Sequence, residues 1–152
     1  MSVQAKRRAD YQPPAFSIAT VDLHITLHPT QTKVISTLSV TRNGAHDSPL
    51  VLDGDNLSLD SISINSTHLS DNEYTVTDSA LSVVTELDEF VLEITNTIAP
   101  EHNKALEGLY LSGGAYCTQC EAEGFRRITY FMDRPDVLSV YTVTVVADKS
   151  VP

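Results

Sequence analysis

The sequence predicts an all-β fold, an antiparallel two-sheet sandwich or saddle with little or no helix, and three observations carry that expectation. Apolar and polar residues alternate with a period of two over several segments, the pattern of a strand with one buried and one wet face. Turn pairs and prolines interrupt the alternation every ten residues or so, roughly the spacing of short strands in a sandwich. No segment sustains a helical period, and the wealth of Ser, Thr, Val and Ile favours extended backbone.

Residues 1–15 read as a polar, extended tail, mobile at its start and ending in Pro13-Pro14, and residues 16–152 as one β domain. The first strand is the clearest: Val21, Leu23, Ile25 and Leu27 alternate with Asp22, His24, Thr26 and His28 until Pro29 stops the run. A second strand carries Val34, Leu38 and Val40 on one parity and ends at the turn pair Asn43-Gly44. These two are expected to form a hairpin around residues 29–32. Leu50 to Leu52 precedes an Asp53-Gly54 turn, and Leu57 and Leu59 are out of parity with Ile62 and Ile64, which places a bulge near Asp60. Tyr74 to Val76, Leu81 to Val84 and Phe90-Leu92-Ile94 continue the series. Residues 101–124 hold four of the six glycines and read as a long functional loop with short strand pieces. Strand patterns resume at Ile128 to Phe131 and at Tyr141, Val143 and Val145. The chain stops at Pro152 without a closing turn, so we expect a domain truncated at its C-terminal end.

A length of 152 residues suits one domain with a real core. The net charge is −10, and between residues 11 and 100 only Lys33 and Arg42 stand against twelve acids. Such a surface repels a phosphate backbone, which argues against nucleic acid as a partner. No stretch approaches the roughly 20 apolar residues that span a bilayer, so no membrane role is expected. The basic start runs into Asp10, Tyr11, Gln12 and prolines instead of an apolar segment, which does not resemble a secretory signal. A cytoplasmic setting with free thiols follows as the expectation.

Few residues offer chemistry by themselves. His24 and His28 are four apart, but on a strand that is roughly 13 Å, too far to share one ion. His46, His68 and His102 stand singly in polar segments, and no HExxH occurs. Cys117 and Cys120 form a CxxC, which admits three readings: a redox pair, half of a four-ligand zinc site, or plain thiols. The βαβ setting of a thioredoxin-like motif is missing, as is a second ligand pair, and plain, partly buried thiols are favoured. No metal ligand set is therefore assigned. Nucleophile elbows, phosphate-binding glycine loops and paired catalytic carboxylates are also missing. Read this way, Glu121 is an exposed loop acid.

Gly108-Leu109-Tyr110, Thr118-Gln119-Cys120-Glu121, Arg126-Arg127 and Asp133-Arg134-Pro135 stand at fixed spacing between Ala105 and Val143. This run closely resembles the N-terminal domain of zinc aminopeptidases of the aminopeptidase N (alanyl aminopeptidase) family in its bacterial form. A weaker likeness extends upstream through Asp10-Tyr11 and the first strand. The resemblance implies an exopeptidase that removes N-terminal amino acids from peptides, with Glu121 binding the free α-ammonium of the substrate and Gln119 lining the pocket for its first side chain. In an extended segment, residues two apart point to one side, which lets Gln119 and Glu121 face one substrate. Glu123 shares that parity but has no matching role, and Arg126, Arg127 and Asp133 read as ion-pair partners that hold the loop.

The family's zinc site, its GAMEN-type loop and its catalytic Tyr do not occur among these 152 residues. The resemblance therefore implies that this chain holds no catalytic residue, that zinc belongs to the full-length parent, and that the chain's partners are the peptide N-terminus and the parent's own catalytic domain. The alternative is a free-standing, non-catalytic β-sandwich binding module. A third possibility, a redox or zinc-ribbon protein, rests on the CxxC alone.

Overall fold

In the computed structural model, which describes residues 8–149 and 151, the first alternating run forms β1 (Phe16–Thr26), and β2 (Thr32–Arg42) returns antiparallel to it. Val21, Leu23 and Ile25 turn into the core while Asp22, His24 and Thr26 face outward. The connection is closed locally. His28 Nδ1 accepts from the backbone N–H groups of Thr30 and Gln31, and the Thr32 hydroxyl donates to the His28 carbonyl at 2.6 Å. His28 thus organises a turn.

The remaining strands are β3 (Leu50–Asp53), β4 (Ser58–Ile64), β5 (Thr67–His68), β6 (Tyr74–Val76), β7 (Ala80–Val83), β8 (Glu89–Ile98), β9 (Gly108–Ser112), β10 (Ala115–Gln119) and β11 (Val140–Val146). They make a six-stranded sheet in the order β11-β1-β2-β8-β4-β5, a three-stranded sheet in the order β3-β7-β6, and the hairpin β9-β10. All-β architecture is therefore what the alternation foretold. The parity slip in β4 is a real irregularity, because its register against β8 shifts between Leu59 and Ser61. Asp60, at that slip, accepts a hydrogen bond from the Thr97 hydroxyl at 2.7 Å.

The core lies between the two larger sheets. Val34, Leu38, Leu92 and Ile94 of the long sheet and Leu50, Leu52, Leu81 and Val83 of the short one are fully buried. Burial of this kind contributes about 1.5–3 kcal/mol per large side chain, which is what holds the sheets together.

Two features depart from the expected pattern. Ile128 to Phe131 is not a strand: a 3-10 turn at Phe125–Arg127 leads into irregular backbone whose single bridge joins Phe131 to Asp53. Its β-rich composition misleads because residues 128–132 are all buried, whereas a surface strand would bury alternate ones. Side chains and a strand end satisfy its polar groups instead of a ladder. Asn96 Nδ2 donates to the Ile128 carbonyl at 3.0 Å, the Ser36 and Thr129 hydroxyls meet at 3.0 Å, and Asp53 exchanges both backbone hydrogen bonds with Phe131. The second departure is β11, which lies parallel to β1 in a sheet that is otherwise antiparallel. Its register puts Tyr141, Val143 and Val145 on the core side of β1, yet all three remain exposed.

Residues 8–15 comprise a 3-10 turn at Arg8–Asp10 and an extended run. Arg134 donates to the Gln12 carbonyl, and Asn43 donates to the carbonyls of Pro14 and Ala15. The start of the predicted tail, residues 1–7, lies outside the described residues. Among the described residues no helix is long and apolar enough to cross a membrane.

Leu38→Ala removes a fully buried side chain from the centre of the long sheet. We expect a loss of about 2–5 kcal/mol in urea-denaturation stability; a loss below 1 kcal/mol would show that the core closes over the cavity.

Candidate functional site

The segment between β8 and β11 begins with a loop built on one side chain. Asn103 Nδ2 donates to the carbonyls of Glu107 and Leu109 at 2.7 and 3.0 Å, and its Oδ1 accepts from the Ala105 N–H at 3.1 Å. This fixes where β9 starts. The hairpin turns at Gly113 and Gly114, whose φ values of +59 and +89° suit glycine. Strand β10 then ends at Gln119, paired with Gly108. Residues 121–124 form a turn, closed by the Gly124 N–H donating to the Cys120 carbonyl at 2.9 Å, and the Glu121–Ala122 peptide bond is cis.

Close backbone approach sets this turn against the hairpin. A Cβ on Gly124 would overlap the Gln119 carbonyl oxygen and lie 2.9 Å from Cys120 Cα. At Gly108, with φ +69°, a Cβ would lie 2.6 Å from Arg127 Cβ. The concentration of glycine in residues 101–124 was the sequence signal for this contact, though not for which glycines make it.

Beneath the turn sits Arg126. Its Nε and backbone N–H both donate to Asp133 Oδ2, at 3.0 and 3.1 Å, and its Nη2 donates to the Asp133 carbonyl. Asp53 at 3.7 Å and Glu123 at 3.5 Å complete the cluster. Burial works against the Arg126 charge, but the Asp133 hydrogen bond and the charges of Asp53, Asp133 and Glu123 outweigh it and hold the guanidinium above its ordinary pKa. Next to it, Arg127 pairs with Asp55 at 2.6 Å and Glu107 at 3.1 Å, and Arg134 with Asp136 at 2.7 Å.

Against this background the two site residues expected from sequence are distinctive. Gln119 and Glu121 are both exposed, one at the last residue of β10 and the other in the turn that follows. The pleat therefore orients Gln119, and the turn orients Glu121, so the parity argument does not extend across both. Asp53, Asp55, Glu107, Glu123, Asp133 and Asp136 each pair with an arginine. Glu121 makes no hydrogen bond or ion pair among the described residues.

Cys117 and Cys120 are free thiols of intermediate exposure. Burial, helped by the Asp133 charge, pushes the Cys120 thiol pKa up. Among the described residues no group of three or more His, Cys, Asp and Glu side chains is placed to hold a metal ion, so these residues do not fit a zinc site.

Residues 10–151 match the Peptidase M1 N-terminal domain family. The chain belongs to that family. It is 52% identical to an aminopeptidase N of Caulobacter vibrioides over 149 residues and 46% identical to that of Escherichia coli. The matches cover 98% and 96% of this chain but 17% of either relative, so this M1 N-terminal domain spans about a sixth of their length. Among solved structures, Legionella pneumophila aminopeptidase A in complex with aspartic acid is 34% identical with a TM-score of 0.84, over 92% of this chain and 17% of that one.

Because Gly124 has an ordinary negative φ of −93°, replacing it with alanine introduces a steric clash alone. Gly124→Ala in this M1 N-terminal domain should lower urea-denaturation stability by about 1–3 kcal/mol and speed proteolysis at residues 119–124. Unchanged values for both would mean that the backbone can draw apart at no cost.

Proposed function

We propose that this domain anchors the N-terminus of a peptide substrate in a full-length zinc metalloaminopeptidase. Glu121 binds the free α-ammonium and Gln119 lines the pocket for the first side chain. The observation that carries the reading is that Glu121 has no ion pair or hydrogen bond among the described residues, whereas Glu107, Glu123 and Asp133 of the same segment are each paired with arginine. An exopeptidase must distinguish a free N-terminus from a mid-chain amide. A fixed, uncommitted carboxylate does so through a charge-assisted hydrogen bond that a neutral amide cannot match. An acid already tied to Arg126 would first have to give up its partner.

Relatives named aminopeptidase N support the enzyme class. On this reading, zinc and the base that activates water belong to the rest of the enzyme, and the catalytic domain of the same polypeptide is this domain's partner. The proposal includes a cytoplasmic setting, where thiols such as Cys117 and Cys120 stay reduced.

Two measurements test the proposal. Residues 1–152 alone should release no product from aminoacyl-p-nitroanilides with or without added zinc, and zinc-dependent turnover by pure material would overturn the division of labour. In the full-length enzyme, Glu121→Gln removes one charge at nearly constant shape. The ammonium then loses about 1.5–3 kcal/mol of interaction, and kcat/KM falls by about one to two orders of magnitude. Blocked peptides, lacking the ammonium, should be poor substrates of both enzymes and discriminate little between them. A variant that matches the parent on free-amine substrates while losing thermal stability would make Glu121 a structural residue.

A further inference from the structure

The β9-β10 hairpin has two unlike faces. Leu109 and Leu111 pair with Thr118 and Tyr116 on one of them, where Leu109 and Tyr116 pack against the core. The other face carries Tyr110 and Cys117 directly opposite each other, with Gln119 two residues further along β10. Opposed residues place their Cβ atoms about 5 Å apart, so the Tyr110 ring and the Cys117 thiol form one half-buried patch. From Cys117 to Gln119 is about 6.6 Å along the strand. Cys120 belongs to the opposite parity and packs against the core.

We infer that Tyr110 and Cys117 form the far wall of the subsite for the first side chain of the peptide and determine specificity for long side chains over short ones. The inference rests on the anchoring role proposed for Glu121. An α-carbon carries both the ammonium and the side chain, so a carboxylate that fixes the first also fixes the origin of the second. Gln119, within about 7 Å of Glu121 along the backbone, meets the first atoms of that side chain. Cys117 and Tyr110 lie one strand step beyond. Alanine is too short to reach them, whereas phenylalanine or leucine spans the gap and meets an apolar ring and a polarisable sulfur. The pleat thus acts as a ruler. Gly108, opposite Gln119, adds no side chain to narrow the path.

The thiol itself reports on occupancy. In the full-length enzyme, carboxamidomethylation of Cys117 and Cys120 by iodoacetamide is followed separately by peptide mass spectrometry, with phenylalanine amide, alanine amide and N-acetylphenylalanine amide as competitors. Only unliganded enzyme exposes Cys117, so phenylalanine amide at ten times its dissociation constant should slow that site about tenfold. Alanine amide at the same multiple should slow it much less, the acetylated amide should have no effect, and Cys120 should react at one slow rate throughout. Independently, Cys117→Trp should lower the ratio of kcat/KM for phenylalanyl- over alanyl-p-nitroanilide on the order of tenfold or more. Equal protection by the two free amides, or an unchanged ratio in the variant, overturns the inference. Glu121→Gln separates the two levels. If it fails to weaken free-amine substrates, the anchoring role falls and this inference with it. If it acts as expected while phenylalanine amide leaves Cys117 unprotected, only the far wall is wrong.

Discussion

Asp53, at the end of β3, exchanges two backbone hydrogen bonds with Phe131, accepts from the Asp133 N–H at 3.0 Å and lies beside Arg126. From the other side, Asn96 and Ser36 of the six-stranded sheet hold Ile128 and Thr129. Residues 125–133 are thereby bonded to both larger sheets at once, with Ile128, Tyr130, Phe131 and Met132 filling the space between. The Gln119–Gly124 turn rests on this segment through Arg126, through the Gly108–Gly124–Arg127 contact and through the Cys120 side chain. Loosening the wedge would release the turn even with every strand intact.

Much of the fold was legible because its strands obey the simplest rule available. A strand with one face on the core and one in water reveals itself by alternation, and β1, β2 and β8 all lie in that regime. The bulge at Asp60 was legible for the same reason, since inserting one residue reverses the parity after it. The wedge was not legible, because its constraints are long-range. Nothing near Ile128 announces that its carbonyl will be met by Asn96, or that Thr129 will meet Ser36. Likewise Tyr141, Val143 and Val145 mark β11 as a strand, but local pattern carries no information about whether its partner runs parallel.

The candidate site shows the same division. Gln119 and Glu121 were singled out by motif, and Gln119 is the last residue of β10. What sets Glu121 apart from Glu107, Glu123, Asp133 and Asp136 depends on which arginine lies near which carboxylate. Those distances are tertiary facts. An acid-rich composition gives a net charge of −10 but does not say which acid is left over.

The arrangement also bears on how a weak contact becomes a useful one. An exposed carboxylate on a mobile loop gains little from an ammonium, because holding both in one geometry costs entropy and water screens the charge. Here the backbone of residues 119–124 is packed by a contact that tolerates no Cβ and tied through Glu123 to an arginine held on Asp133. The ordering cost of the backbone falls on folding, so binding has only side-chain rotamers left to immobilise. Under the anchoring role proposed for Glu121, carboxylates already paired with arginine would offer the ammonium no equally free alternative. On the proposed reading, Glu121 would set the orientation of the ammonium and the first side chain would run along a strand whose spacing measures its length.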